Sequence, residues 1–296
     1  MNKKHEKAML DLERLLKTQD FKNKEDAQVF INKHLVGKAI PEFDKEALTI
    51  EEQAQDLVYQ AMETDDLIEA ERLIFLALLK DPDCTEAYEY LGDACGSPMA
   101  GMLLYKNGYM AARKKLGEKF FEKNKGHFWG IHETRPYMRC LRSYAETLYL
   151  LGQKEAALIS FFELLELNPN DNQGIRDQAG LICLELDKFS QYEELYRQFE
   201  DDDTAFHLFN YCLYLFLQQG NTEVSREALT KARHYNKHVI HLMNNKKPLP
   251  PLPEMFGFGD KNEAIYYCNL AKPVWQGKSG AIDWMALIFQ NRYRLE

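Results

Sequence analysis

A period of 34 residues constrains this chain more than any single residue, because fixed spacing of large and small side chains makes each segment a copy of one supersecondary unit. Counted from Met138, the segment MRCLRSYAETLYLLGQKEAALISFFELLELNPND puts Leu141 at position 4, Tyr144 and Ala145 at 7 and 8, and Leu148 at 11. It then puts Ala157 at 20, Phe161 at 24, Leu164 at 27 and Pro169 at 32, with Gly152 where a turn needs a permissive residue. Small side chains let two antiparallel helices approach closely, large ones fill the space between copies, and proline stops the second helix. A frame starting at Glu51 gives Leu57, Ala70, Ile74, Ala77 and Pro82, and the adjoining frame at Thr85 gives Tyr88, Leu91 and Gly92. Frames at Asn172 and Phe206 continue the spacing. The last carries Phe209, Cys212, Leu213, Phe216, Gly220, Leu229 and Ala232 in register, with Lys237 in place of proline. The Asn172 frame is the weakest, since Ala179 and Ile182 fit but SQYEELYRQF fits only with a shift of about one residue.

This is the tetratricopeptide pattern, and it predicts an all-α fold, a TPR-type alpha-alpha superhelix (solenoid) with helical caps at both ends. The helical repeat array is expected over 51–239, with repeats starting near 51, 85, 138, 172 and 206. Frames 85 and 138 lie 53 residues apart, so the second repeat carries 19 extra. Its Gly101, Tyr105 and Gly108 are spaced like positions 20, 24 and 27 but three residues early, and the second helix is expected to run on through GEKFF. Residues 1–50 read as an N-terminal helical cap, EKAMLDLERLL and then KEDAQVFINKHLV, followed by a gap at GKAIPEFDK. Residues 240–296 read as a proline-rich connector, KKPLPPLPE, and a C-terminal helical cap, DKNEAIYYCNLAKPVW and GAIDWMALIF, with Asp260 as an N-cap. The proline run could also serve as a ligand for a proline-binding domain. Its position between helices favours a stiff connector.

Composition narrows function. The 37 basic and 46 acidic residues leave a net charge of -9, which offers nucleic acid no broad basic face. The start, MNKKHEKAMLDLERLL, lacks a secretory apolar core, and FHLFNYCLYLFL is too short to span a bilayer. A cytoplasmic protein is expected, without membrane or nucleic-acid partners. Cys84, Cys95, Cys140, Cys183, Cys212 and Cys268 lie singly, with no CxxC pair, as buried small hydrophobes do in a reducing compartment.

The densest chemistry lies in GHFWGIHETRPYMR, residues 126 to 139. His127 and His132 are five apart, not the four that places two zinc ligands on one helical face, so no metal site is expected. His132 and Glu133 are sequence neighbours without a nucleophile motif, so no catalytic residue and no cofactor is assigned. Arg135 and Arg139 share a helix face if the helix starts near Pro136, and together could clamp a carboxylate or phosphate. The competing and preferred reading is packing, in which Phe128, Trp129 and Tyr137 wedge the insertion against the third repeat and Arg135 pairs with Glu133 or Glu118. In LNPNDNQGIR, Asp171 or Asn172 is expected to cap the next helix, and Arg176 is placed on the concave groove. EDDDT at 200–204 reads as helix capping, not a calcium loop. Grooves that grip a C-terminal carboxylate use Lys and Asn at positions 5 and 9 of the first helix. Here Gln55 and Tyr59, and then Arg142 and Glu146, stand there, so that clamp is largely missing. The candidate binding residues are His127, Trp129, His132, Glu133, Arg135, Tyr137, Arg139 and Arg176.

Over nearly its whole length, through GHFWGIHETRPYMR, LNPNDNQGIR, GFGDKNEAIYY and GAIDWM, the chain resembles a bacterial family of tetratricopeptide proteins of unassigned biochemical role. Residues 138 to 285 more distantly resemble the soluble helical part of the suppressor of tumorigenicity seven family. That family is membrane-anchored, and no anchor is expected here. Some bacterial relatives append a cysteine-rich metal-binding tail. This chain ends NRYRLE, so no such site carries over. The resemblance and the pattern imply a non-enzymatic scaffold or adaptor that binds a protein or peptide partner. The alternative is a binder of small anions or metabolites, or an enzyme, using the 127–139 cluster.

Overall fold

Close approach between helices is set by two glycines. A Cβ on Gly92 would stand 2.4 Å from the Tyr105 ring, and one on Gly108 would stand 2.7 Å from Cys140 Sγ. Only glycine fits between such partners, so these positions fix how neighbouring helices nest. The computed structural model describes residues 3–38 and 48–290. Much of the expected gap at 37–45 and the NRYRLE end lie outside the described residues. The described residues form an all-α protein without strands.

The chain divides into two compact units, Met1–Gln153 with Glu166–Asn172, and Lys154–Leu165 with Gln173–Glu296. The first contains α1 (Lys3–Lys17), α2 (Lys24–His34), α3 (Ile50–Glu63), α4 (Leu67–Lys80), α5 (Thr85–Ala94), α6 (Pro98–Leu116), α7 (Glu118–Asn124) and α8 (Arg135–Leu150). Helix α3 starts at a capping box between Thr49 and Glu52, and α4 at the Asp66 side chain. The two pair antiparallel over a core of Ala54, Val58, Ala61, Ala70, Ile74 and Ala77. Helices α5 and α6 meet at Gly92 and Tyr105, whose hydroxyl donates to Asp93 Oδ1 at 2.9 Å. Helix α8 lies against α6 at Gly108. The expected continuous helix through GEKFF is broken, because Gly117 takes φ 76 and closes α6 before α7 begins.

The second unit holds α10 (Ile175–Glu185), α11 (Phe189–Gln198), α12 (Ala205–Gln219), α13 (Glu223–Tyr235), α14 (His238–Asn244), α15 (Lys261–Gly277) and α16 (Ala281–Gln290). Most of α9 (Lys154–Leu167) belongs to it as well. Asp171 and Asn172 both precede the N-cap position of α10. The N-cap is Gly174 at φ 70, and Asp171 instead takes φ 48 within the preceding turn. Asp260 does cap α15, accepting from the Glu263 and Gly257 amides, and those bonds lower its pKa. The Glu263 carboxylate is 1 % exposed and accepts from Ala205 N, Gly259 N, Asn236 Nδ2 and the Tyr235 hydroxyl. The GFGDKNEAIYY phrase is thereby explained as a knot joining α12, α13 and α15. A second polar chain runs from Trp275 Nε1 to the Tyr267 hydroxyl to Asn210 Oδ1, at 2.9 and 3.1 Å. Among the described residues no helix is long and apolar enough to cross a membrane.

Candidate functional site

The segment between α7 and α8 folds as two 3-10 turns, Phe128–Gly130 and His132–Thr134. Phe128 and Tyr137, both fully buried, pack in one aromatic cluster with Phe121. The Thr134 hydroxyl reaches the carbonyls of Phe128 and Ile131 and ties the turns together. Arg113 lies 4.5 Å from the Phe121 ring centroid and donates to the Tyr137 hydroxyl and to Glu118. Phe128 and Tyr137 of the expected wedge pack in this cluster, while Trp129 is half-buried and meets Arg135. Glu118 is taken by Arg113, and Glu133 lies 3.4 Å from Lys17 Nζ. Arg135 instead donates to the Trp129 carbonyl at 3.1 Å and sits 5.4 Å from its ring centroid.

Arg139 points elsewhere. Its Nε lies 2.8 and 2.9 Å from the two carboxylate oxygens of Glu89, and a terminal nitrogen lies 3.9 Å from Glu86. Both glutamates are buried on α5, where this guanidinium offsets their charge. Arg135 and Arg139 thus hold different partners, the Trp129 carbonyl and the Glu89 carboxylate. His127 is exposed, Trp129 is half-buried, and His132 Nδ1 meets Glu13 Oε1 on α1 at 2.5 Å. Arg176, in the second unit, pairs with Asp202 at 2.9 Å and stacks 5.0 Å from Phe199. The acidic run at 200–204 thus supplies a structural ion pair, while Thr204 caps α12.

Beside the cluster lies a cleft of about 350 Å³, enclosed by α1, α3, α5, α6 and the start of α8. Its floor includes Cys84, Ala112, Leu116 and Pro136, and its walls are charged. Burial, and next the Glu86 charge, push the Cys84 thiol up to about 12, so this sulfur is no nucleophile at neutral pH. Lys115 pairs with Asp81, and Arg14 with Glu52 at 3.0 Å. The Gln55 Nε2 atom is buried without a hydrogen-bond partner. Of the predicted site residues, the cleft collects His132 and Glu133 only. Sequence reasoning overlooked Glu13, Arg14, Lys17, Glu52 and Glu86. Gln55, at position 5 of its helix, was the one available pointer.

Among the described residues, no three His, Cys, Asp or Glu side chains gather as a group able to hold a metal ion. No protein-family profile matches the chain, and no curated protein matches it.

Proposed function

We propose that this protein is a tetratricopeptide-type helical repeat scaffold that binds a peptide or helix of a protein partner in the cytoplasm, without chemistry of its own. The observation that carries this reading is the face of α3. Glu52, Gln55, Tyr59 and Glu63 lie three, four and four residues apart on one side of that helix, the side opposite the hairpin core. Glu52 and Gln55 of that face line the cleft, and stacked helical repeats use such concave faces for binding. The small-anion reading is less well supported, because Arg139 is committed to Glu89 and Glu86. Affinity capture from a lysate of the source organism tests the reading, comparing the native chain with a Glu52→Lys, Glu63→Lys variant of unchanged helical circular dichroism. Recovery of one partner by the native chain alone supports it. Equal recovery by both chains, or a rise in Tm with phosphorylated or carboxylated metabolites, counts against it.

A further inference from the structure

We propose that the Glu52, Gln55, Tyr59, Glu63 face of α3, with His132 and Glu133 beside it, seats an amphipathic helix, and that α1 is its displaceable internal occupant. The inference rests on the peptide-binding reading and adds the kind of peptide and what keeps it out. Helix α1 turns Lys7, Leu10, Arg14 and Lys17 to the body, a stripe with spacings of three, four and three. Lys7 lies 3.8 Å from Glu63 and 5.9 Å from the Tyr59 ring centroid, while Arg14 lies 3.0 Å from Glu52. The two helices therefore run antiparallel. Three cations of α1 meet three carboxylates of the body, and Glu13 reverses the pattern by meeting His132. The matching partner is a helix with basic residues at relative positions 1, 8 and 11 and a carboxylate at 7, the arrangement of Lys7, Arg14, Lys17 and Glu13.

The hold on α1 is weak in kind. None of its described side chains is buried, and α2, which follows it, buries none either. Partly exposed ion pairs, which salt screens, are among its attachments, beside half-buried apolar side chains such as Leu10. A permanent core helix fills the surface beneath it, as α4 does on the other side of α3, where Val58 and Ile74 are both fully buried. Helix α1 instead covers a cleft of about 350 Å³ and leaves Gln55 Nε2 without a partner. It occupies the seat without completing it.

The test uses the full chain and a Glu13→Arg, Arg14→Glu, Lys17→Glu variant. Hydrogen exchange of residues 7–17 is followed from about 0.05 M to about 0.5 M NaCl, which shortens the screening length. A labelled peptide of residues 1–20 is then titrated against both chains. The expected result is that salt or the triple substitution strips protection from 7–17 and nowhere else. The peptide is expected to bind the variant at least about tenfold tighter than the native chain, since an internal occupant lowers apparent affinity by the fraction of open seat. Protection of α1 that ignores both changes, or is lost together with that of α3 to α8, makes α1 a fixed part of the fold and overturns the proposal. Peptide binding that is equal in the two chains, or seen in neither, overturns it too. The peptide probe needs no captured partner, so a failure of this inference is distinguishable from a failure of the peptide-binding reading on which it rests.

Discussion

Arg139 shows how a side chain suited to ligand binding is spent on folding. It faces two glutamates that α5 has drawn out of water, and burying a carboxylate without a cation is costly. Arg139→Met is expected to cost about 3 kcal/mol of stability, because the change strands charge and does more than remove one contact. Urea unfolding at neutral pH measures this, and Glu86→Gln, Glu89→Gln in the same chain should recover part of the loss. A fully stable Arg139→Met chain would free this residue for recognition. A second residue, His207, stacks 4.4 Å from Tyr196 and has a pKa lowered from 6.5, chiefly by burial, with Lys231 and Arg176 adding to the effect and Asp202 opposing it. The folded state thus binds fewer protons on His207 than the unfolded chain does below that value. Its contribution to stability is complete above pH 6.5 and is lost as pH falls through the lowered folded value. The urea midpoint of His207→Phe should fall less steeply than that of the native chain as the pH is lowered below 6.5, and parallel profiles would contradict the assignment.

At the scale of elements, the contact between α6 and α8 depends on Gly108, where a new Cβ would meet Cys140 Sγ at 2.7 Å and Tyr88 Cβ at 3.1 Å. Gly108→Val is expected to destabilise by about 1–3 kcal/mol through overpacking, despite the intrinsic helix penalty of glycine that it removes. Thermal melting by circular dichroism reads the loss. The spacing of Gly101, Tyr105 and Gly108 marks in the sequence where the helix is narrow, though not that α8 is the neighbour at Gly108. Helix hairpins such as α3 with α4 were visible for the same reason, since local period and turn residues carry them. Three elements escaped a periodic reading for distinct reasons. Gly117 ends α6 through a positive φ that apolar spacing does not encode, and α10 starts after Gly174, which has no side chain to signal a cap. Helix α14 straddles the expected end of the array at 239, because the Asn236 side chain accepts from His238 N where the connector was expected to begin. The candidate cluster at 127–139 lies between α7 and α8, and its partners Glu89, Lys17 and Glu13 lie 50, 116 and 119 residues away along the chain. No local pattern reports pairings at that distance.

For the molecule as a whole, two cores imply two stabilities. The first unit is packed around residues such as Ile74, Phe128 and Tyr137, and the second around Phe209, Tyr267 and Trp275, each fully buried. In chains whose elements contact mainly their neighbours, opening propagates locally, so damage in one unit need not reach the other. Glu263 is the position from which to test this, since it satisfies four donors from α12, α13 and the turn before α15. Glu263→Ala removes the acceptor of the buried Ala205 amide and of three further donors, and is expected to cost about 3 kcal/mol, at the upper end for a buried charged hydrogen-bond partner. Exchange of amides in α12, α13 and α15 should then accelerate by about two orders of magnitude, the factor that such a loss sets, while amides in α3 to α6 keep their native rates. Equal acceleration in both units would mean that the chain unfolds as one cooperative body. In that case, release of α1 from its seat would lower the stability of the second unit as well, and a partner helix that displaced α1 would be felt along the whole chain.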